Sequence, residues 1–282
     1  MALTFGLLAA LLWGLSDFLI SVAGRSFGVH RAMLYAQSIG VLLVGSWIVL
    51  AGLALPWDAP SSSWLAATGA APIGVAATLL LYHGLKVGQV SVVAPIAASF
   101  GAVTAALSLM SGERLQPNIL IGIVLVIAGV LCVSLRVRVA DGKGGSTGAI
   151  WGVCCALAYG GQFWIQGRFA VPSLGSIWPV WIYYLISTVL LAGAALARRR
   201  RMTLPIAGVA TVAMTGGVAV CGFLALSAGF ATGELALVSV LASLQTVITI
   251  CLAGIFHRER LIPRQWAGLI VTLAGLAAIH LT

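Results

Sequence analysis

Charge is what this sequence has least of. Charged residues make up 7% of the 282 positions, against about 25% in ordinary soluble domains. Only six are acidic. So few charges cannot clothe a water-soluble surface of this size, which excludes a soluble protein. Five cysteines (Cys132, Cys154, Cys155, Cys221 and Cys251) lie inside apolar runs without CxxC spacing. That excludes a disulfide framework and a zinc site. His30, His83, His257 and His280 are scattered, so no metal or cofactor site is expected. No phosphate-binding glycine loop or soluble nucleotide domain is present, which excludes ATP as the driving force. The net charge of +9 comes from residues in short gaps between apolar runs rather than from a basic face, which argues against nucleic acid. No basic region precedes the first apolar run, which reads as a first membrane span rather than a signal peptide.

What is present is apolar length. Hydrophobic residues are 61% of the chain and the mean hydropathy is +1.12. Ten segments of about 20 residues, the length a bilayer needs, fall near 2–23, 31–53, 62–85, 90–111, 117–136, 146–168, 175–197, 204–229, 234–256 and 263–281. The expected fold is an all-α integral membrane protein. Between the fifth and sixth segments lies a flexible Gly- and Ser-bearing stretch, so the domains read as 1–138, a linker at 139–145, and 146–282.

The two parts repeat one another. Glu113-Arg114-Leu115-Gln116-Pro117 recurs as Glu259-Arg260-Leu261-Ile262-Pro263. Each copy is followed by an apolar run with glycines seven residues apart, Gly122 with Gly129 and Gly268 with Gly275. Seven residues is two helical turns, so each pair marks one face that another helix can approach closely. Upstream, Leu81-x-x-Gly84-x-x-x-Gly88 matches Leu226-x-x-Gly229-x-x-x-Gly233, and Trp13-Gly14 is aligned with Trp151-Gly152. Pro95 falls opposite Val240, and Ser99-Phe100 opposite Leu244-Gln245. A proline there is expected to kink the fourth span and bare a carbonyl. Five spans per repeat is odd, so the second copy crosses the membrane in the opposite sense. With the first loop inside, 13 of the 15 basic residues are cytoplasmic, leaving Arg114 and Arg168 outside. Both termini are then extracytoplasmic.

Few polar side chains fall within the spans. Asp17 is the one acid well inside a span, where a carboxylate costs on the order of 3 kcal/mol unless a cavity or partner receives it. Trp13, Asp17 and Ser21 share a helix face. Two roles stay open for Asp17: a site for an ammonium group or proton, or an ion pair with Lys86 or Arg25. Tyr159, Gln162 and Gln166 share another face, which should look into the protein because amides facing lipid are unsatisfied. Tyr82 and Thr78 belong to the third span, with His83 beside them near its end. Ser99 and Gln245 stand at equivalent points of the fourth and ninth spans. The candidate binding residues are therefore Trp13, Asp17, Tyr82, Ser99, Tyr159, Gln162 and Gln245, with no catalytic set. Tyr35, Trp47, Trp57, Trp64, Trp178, Trp181 and Trp266 read as an interfacial belt, and Trp164 as packing.

Ten spans, two five-helix repeats and the doubled Glu-Arg-Leu-x-Pro hairpin resemble the drug/metabolite transporter superfamily, EamA type, over essentially the whole chain. Within it the sequence resembles the YddG-type aromatic amino-acid exporters. The resemblance implies a secondary transporter in the inner (plasma) membrane, working by alternating access. It also implies a central cavity lined by spans 1, 3, 4, 6, 8 and 9, with spans 5 and 10 packed together as a support. The expected partners are a small-molecule substrate, most simply an amino acid, and the lipid bilayer. An intramembrane enzyme, a channel, or an exporter of drugs, nucleosides or other metabolites are the competing readings. Monomer and homodimer stay open.

Overall fold

Inside a bilayer every backbone N–H and C=O must find its partner within the segment, so apolar spans become helices. The computed structural model describes residues 1–27, 29–87, 93, 96–134, 145–197, 206–256 and 263–280, and regular structure among them is helical throughout. The first three spans are α1 (Ala2–Phe27), α2 (Val29–Leu50) and α3 (Ser61–Val87). The fourth contains α4 (Phe100–Met110), and the fifth is α5 (Pro117–Ser134). In the second half, α6 (Gly145–Ile165) continues through a π-helical turn at Gln166–Ala170 into the short α7 (Val171–Leu174). Then come α8 (Ile177–Ala197), α9 (Ile206–Phe230), α10 (Leu235–Ala242), α11 (Gln245–Phe256) and α12 (Pro263–His280). Among the described residues six helices are long and apolar enough to span a bilayer, and four shorter apolar stretches occupy the remaining expected spans.

The packing has two-fold pseudosymmetry. Helix α1 lies along α9 as α6 lies along α3, and α2 meets α9 as α8 meets α3. Helix α1 also packs on α10 and α11, as α6 packs on α4. Pairs α2–α8 and α5–α12 are related to themselves, and α4 meets α10 where the two central spans cross. This is the pattern of two inverted five-span repeats. The α5–α12 pair is the closest, and its seam is the predicted glycine faces. Gly122 sits against the Gly275 carbonyl and Gly129 against that of Gly268; a Cβ added to either would lie 2.8 or 2.7 Å from the facing oxygen.

Hydrogen bonds fix how the halves superimpose. Thr104 Oγ1 donates to the Gly160 carbonyl at 3.1 Å, and Thr249 Oγ1 donates to that of Gly14 at 3.1 Å. Gly14 is seated on the Gln245 carbonyl and Ile248, whereas Gly160 is seated on the Phe100 carbonyl and Val103. One turn-pair earlier, Gly6 meets Leu241 and Val238 as Gly152 meets Ile96 and Val93. The counterpart of Gly14 is therefore Gly160, not Gly152. The Trp13-Gly14/Trp151-Gly152 alignment is corrected by eight residues, and Trp13 corresponds to Tyr159. Elsewhere the sequence alignment holds: Gly84 packs on Val93 and Trp151 as Gly229 packs on Val238 and Phe5.

Both central spans break at equivalent points. The chain turns at Ala98-Ser99 before α4 and at Ser243-Leu244 between α10 and α11. At each break a tightened hydrogen bond forms, Ser99 N–H to Ile96 O and Leu244 N–H to Leu241 O, both 3.1 Å. The hydroxyls of Ser99 and Ser243 donate to the carbonyls of Ile96 and Val240. A kink in the fourth span was expected from Pro95, which lies outside the described residues. The ninth span breaks with Val240 at that position, so proline is not what the break requires. The two breaks face each other, since Gly101 abuts the Ser239 carbonyl and Ser243.

At one end of the molecule the turn between α4 and α5 ties one half to the other. The backbone N–H of Ala236, in the first turn of α10, donates to both Glu113 carboxylate oxygens at 3.2 Å. The adjacent Glu234 makes no side-chain cap of its own, so Glu113 serves as the N-terminal cap from across the interface. Its duplicate, Glu259, lies outside the described residues. Desolvation holds the Glu113 pKa above its ordinary value, reinforced by Glu234 and opposed by the Ala236 bond and by Arg168. A carboxyl raised in the folded state contributes stability that is full below its unfolded pKa and fades as pH rises through the folded value. Glu113→Gln, which fixes the neutral form, should therefore melt closer to wild type at pH 4.5 and gain on it toward neutrality. A melting difference that moves in the other direction between those pH values refutes this account.

Candidate functional site

The helices that meet between the halves carry a cluster of aromatic rings. Phe163 on α6 is its hub, with ring centroids 5.6 Å from Trp13 on α1, 5.4 Å from Phe100 on α4 and 6.1 Å from Phe223 on α9. Tyr159 stacks on Phe163 one turn away at 5.9 Å. Tyr183 on α8 closes the group against Phe223 at 4.9 Å. Phe100, Phe163 and Phe223 are buried, while Trp13 and Tyr159 are half-buried.

Polar groups flank the rings. The Tyr159 hydroxyl shares a hydrogen bond of 2.6 Å with Thr78, whose Oγ1 also donates to the Gly74 carbonyl. Gln162 and Gln166 are 1% exposed, and Gln162 Nε2 donates one hydrogen bond of 3.4 Å to Gln166 Oε1. That leaves Gln162 Oε1 and Gln166 Nε2 without a protein partner. Buried amide atoms left unpaired cost about 1–3 kcal/mol each, so a polar guest or water is favoured here. The face predicted to look inward does so.

Asp17 sits one turn from both Gly14 and Trp13. Gly14 is seated on α11 and Trp13 on α9, where its Nε1 donates to the Ala219 carbonyl at 3.2 Å. At 100° per residue, Asp17 falls in the sector between those neighbours. Protein surrounds it, yet its side chain keeps an exposed surface. Beside it Ser16 is buried and donates to the Thr215 carbonyl.

The structure thus brings Trp13 and Tyr159 onto one ring cluster around Phe163, with Gln162 buried on the same helix as Tyr159, Asp17 one turn from Trp13 and Gln245 at the α11 break. Ser99 spends its hydroxyl on its own backbone. The side chain of Tyr82, and those of Arg25 and Lys86, lie outside the described residues. His83 rests edge-on against Trp151 at 4.4 Å. Trp47, Trp57 and Trp266 are exposed as a lipid-facing belt requires, whereas Trp64, Trp178 and Trp181 pack in a small core with Ala67, Leu174 and Ile182. Trp164 packs on Phe169 and donates to Ser111, as expected. Sequence reasoning missed Phe163, Phe223 and Tyr183. Phe163 had a signal, since it follows Tyr159 by four residues; Phe223 and Tyr183 are ordinary aromatics in apolar helices.

Two inverted five-span repeats meeting at a mixed aromatic and polar cluster are an architecture of membrane transporters. Residues 1–135 and 146–281 each match the EamA-like transporter family, and the chain belongs to that family. It is thus a multi-pass membrane protein of the drug/metabolite transporter superfamily, a family of transporters rather than enzymes. Among solved proteins, one crystal structure superimposes with a TM-score of 0.82 at 17% identity, over 99% of this chain and 96% of the other. At that identity the likeness carries the fold alone. No curated protein matches the chain.

Proposed function

We propose that the protein is a secondary exporter of amino acids or related small metabolites, of which aromatic amino acids fit the lining best. It works by alternating access between its two five-span halves in the inner membrane. The observation that carries this reading is that an accessible carboxyl, Asp17, stands one turn from Trp13, which stacks on the ring cluster around Phe163. A substrate with an ammonium group and an apolar side chain satisfies both, and the candidate lining is Trp13, Asp17, Tyr82, Ser99, Tyr159, Gln162 and Gln245. The tie between Glu113 and Ala236 joins the halves at one end, which suits a contact that forms and breaks as access alternates. The test is efflux or uptake in liposomes against a panel of amino acids, nucleosides and drugs, with and without a pH gradient. Saturable flux of amino acids is the expected result. Flux confined to nucleosides or drugs replaces the substrate class, and unsaturable flux at pore-like rates overturns the transporter mechanism.

We further propose that both chain termini face the extracytoplasmic side, with the Glu113 tie at that face, because 13 of the 15 basic residues are then cytoplasmic. A C-terminal reporter active only in the cytoplasm should stay silent; a bright signal reverses the orientation and leaves the repeat intact.

A further inference from the structure

The two-fold register pairs positions whose chemistry has diverged. Thr104–Gly160 and Thr249–Gly14 make Phe100 the counterpart of Gln245, and Phe163 the counterpart of Asp17. In one half these two positions hold rings 5.4 Å apart. In the other they hold an amide and a carboxylate. The neighbouring pair is exchanged in the opposite sense. Thr78 and Tyr159, joined at 2.6 Å, correspond to Phe223 and Trp13, whose rings lie 5.9 Å apart. The backbone agrees with this relation, because Gly14, one turn before Asp17, is built against the Gln245 carbonyl.

We infer that Asp17 and Gln245 form the cation-selecting end of the transport site, while Phe100 and Phe163 hold the apolar body of the same substrate. The cargo class is then a small amphipath bearing a protonated amine, as a zwitterion or a plain organic cation. This rests on the transport reading above and adds to it which residues select which end. An ammonium has three donors. The Asp17 carboxylate supplies the charge and one acceptor, the Gln245 amide oxygen a second, and the face of Trp13 a cation–π contact beside them. Such a set compensates the loss of hydration that otherwise bars an amine from the membrane interior. The two rings offer offset aromatic contact to a flat or branched apolar group. Pseudosymmetry gives both ends the same helix framework, so one cavity carries two opposed chemistries without an inserted element.

The experiment uses the full-length protein in liposomes, with 2-phenylethylamine, phenylalanine, 3-phenylpropionate and butylamine as probes. Wild type should take 2-phenylethylamine or phenylalanine in preference to 3-phenylpropionate, and whichever of the two is faster separates plain cation from zwitterion. Gln245→Leu should cut the amine-over-acid preference about tenfold, the effect of one hydrogen bond to a charged group. Gln245→Glu should raise that preference, a gain that a poorly folded variant cannot imitate. Phe163→Leu should instead cut the preference for 2-phenylethylamine over butylamine and leave amine-over-acid selectivity in place. The inference is overturned if Gln245 variants leave the amine-over-acid ratio unchanged, or if Phe163→Leu shifts it as far as they do. Wild type moving none of the four probes overturns the amine-transport reading itself, and this assignment with it.

Discussion

Asp17→Asn is expected to fold at wild-type yield and to lose most transport, by about tenfold or more. The magnitude follows from removing a charged hydrogen-bonding partner of an ammonium, about 1.5–3 kcal/mol, in a pathway where water competes poorly. Normal folding is expected because Asp17 keeps an exposed surface within the bundle, so the amide that replaces it is not left buried without partners. Asparagine also preserves shape, and Trp13 and Ser16 keep their own hydrogen bonds to Ala219 and Thr215. The competing role, a structural ion pair with Arg25 or Lys86, has a different signature. There the variant loses stability first, and exchanging the charges between Asp17 and its partner restores it. Flux and folded yield measured side by side decide between them. Wild-type flux at every pH, with normal yield, refutes both.

The second large effect is structural. Gly129→Leu or Gly275→Leu should collapse the yield of folded protein. A Cβ at Gly129 would lie 2.6 Å from the Thr272 backbone N, and one at Gly275 would lie 2.8 Å from the Gly122 carbonyl and from the Val126 N. These neighbours are backbone atoms of a packed helix and cannot swing aside, so α5 and α12 must separate along their seam. Overpacking of this kind costs about 1–3 kcal/mol and occasionally more. Leucine adds a whole side chain beyond the clashing Cβ, which puts these variants at the upper end. Helices in lipid gain no hydrophobic drive to come together again, because the tails are as apolar as leucine. Fluorescence-detected chromatography of detergent extracts measures the loss. A variant that folds at wild-type yield but changes substrate preference would move this helix pair from scaffold to cavity wall.

The sequence by itself determined the ten spans, the doubled five-span plan and the glycine seam of α5 and α12. These follow from local requirements: a bilayer sets the length and apolarity of each span, and a helix turns seven-residue spacing into a shared face. It also pointed inward for Gln162 and Gln166, because amides cannot face lipid unsatisfied. What it could not set was the register between helices of different halves. A Trp-Gly step in an apolar helix resembles any other, so sequence alone pairs Trp13-Gly14 with Trp151-Gly152, whereas the Thr249 and Thr104 hydrogen bonds pair it with Tyr159-Gly160. Only the tertiary structure decided that Asp17 and Phe163 are counterparts and that Phe163 gathers Trp13, Phe100 and Phe223. Only it showed that Glu113 caps a helix of the opposite half. Each of these is a contact between residues far apart in the chain, fixed by which surfaces pack rather than by any property of the residues alone.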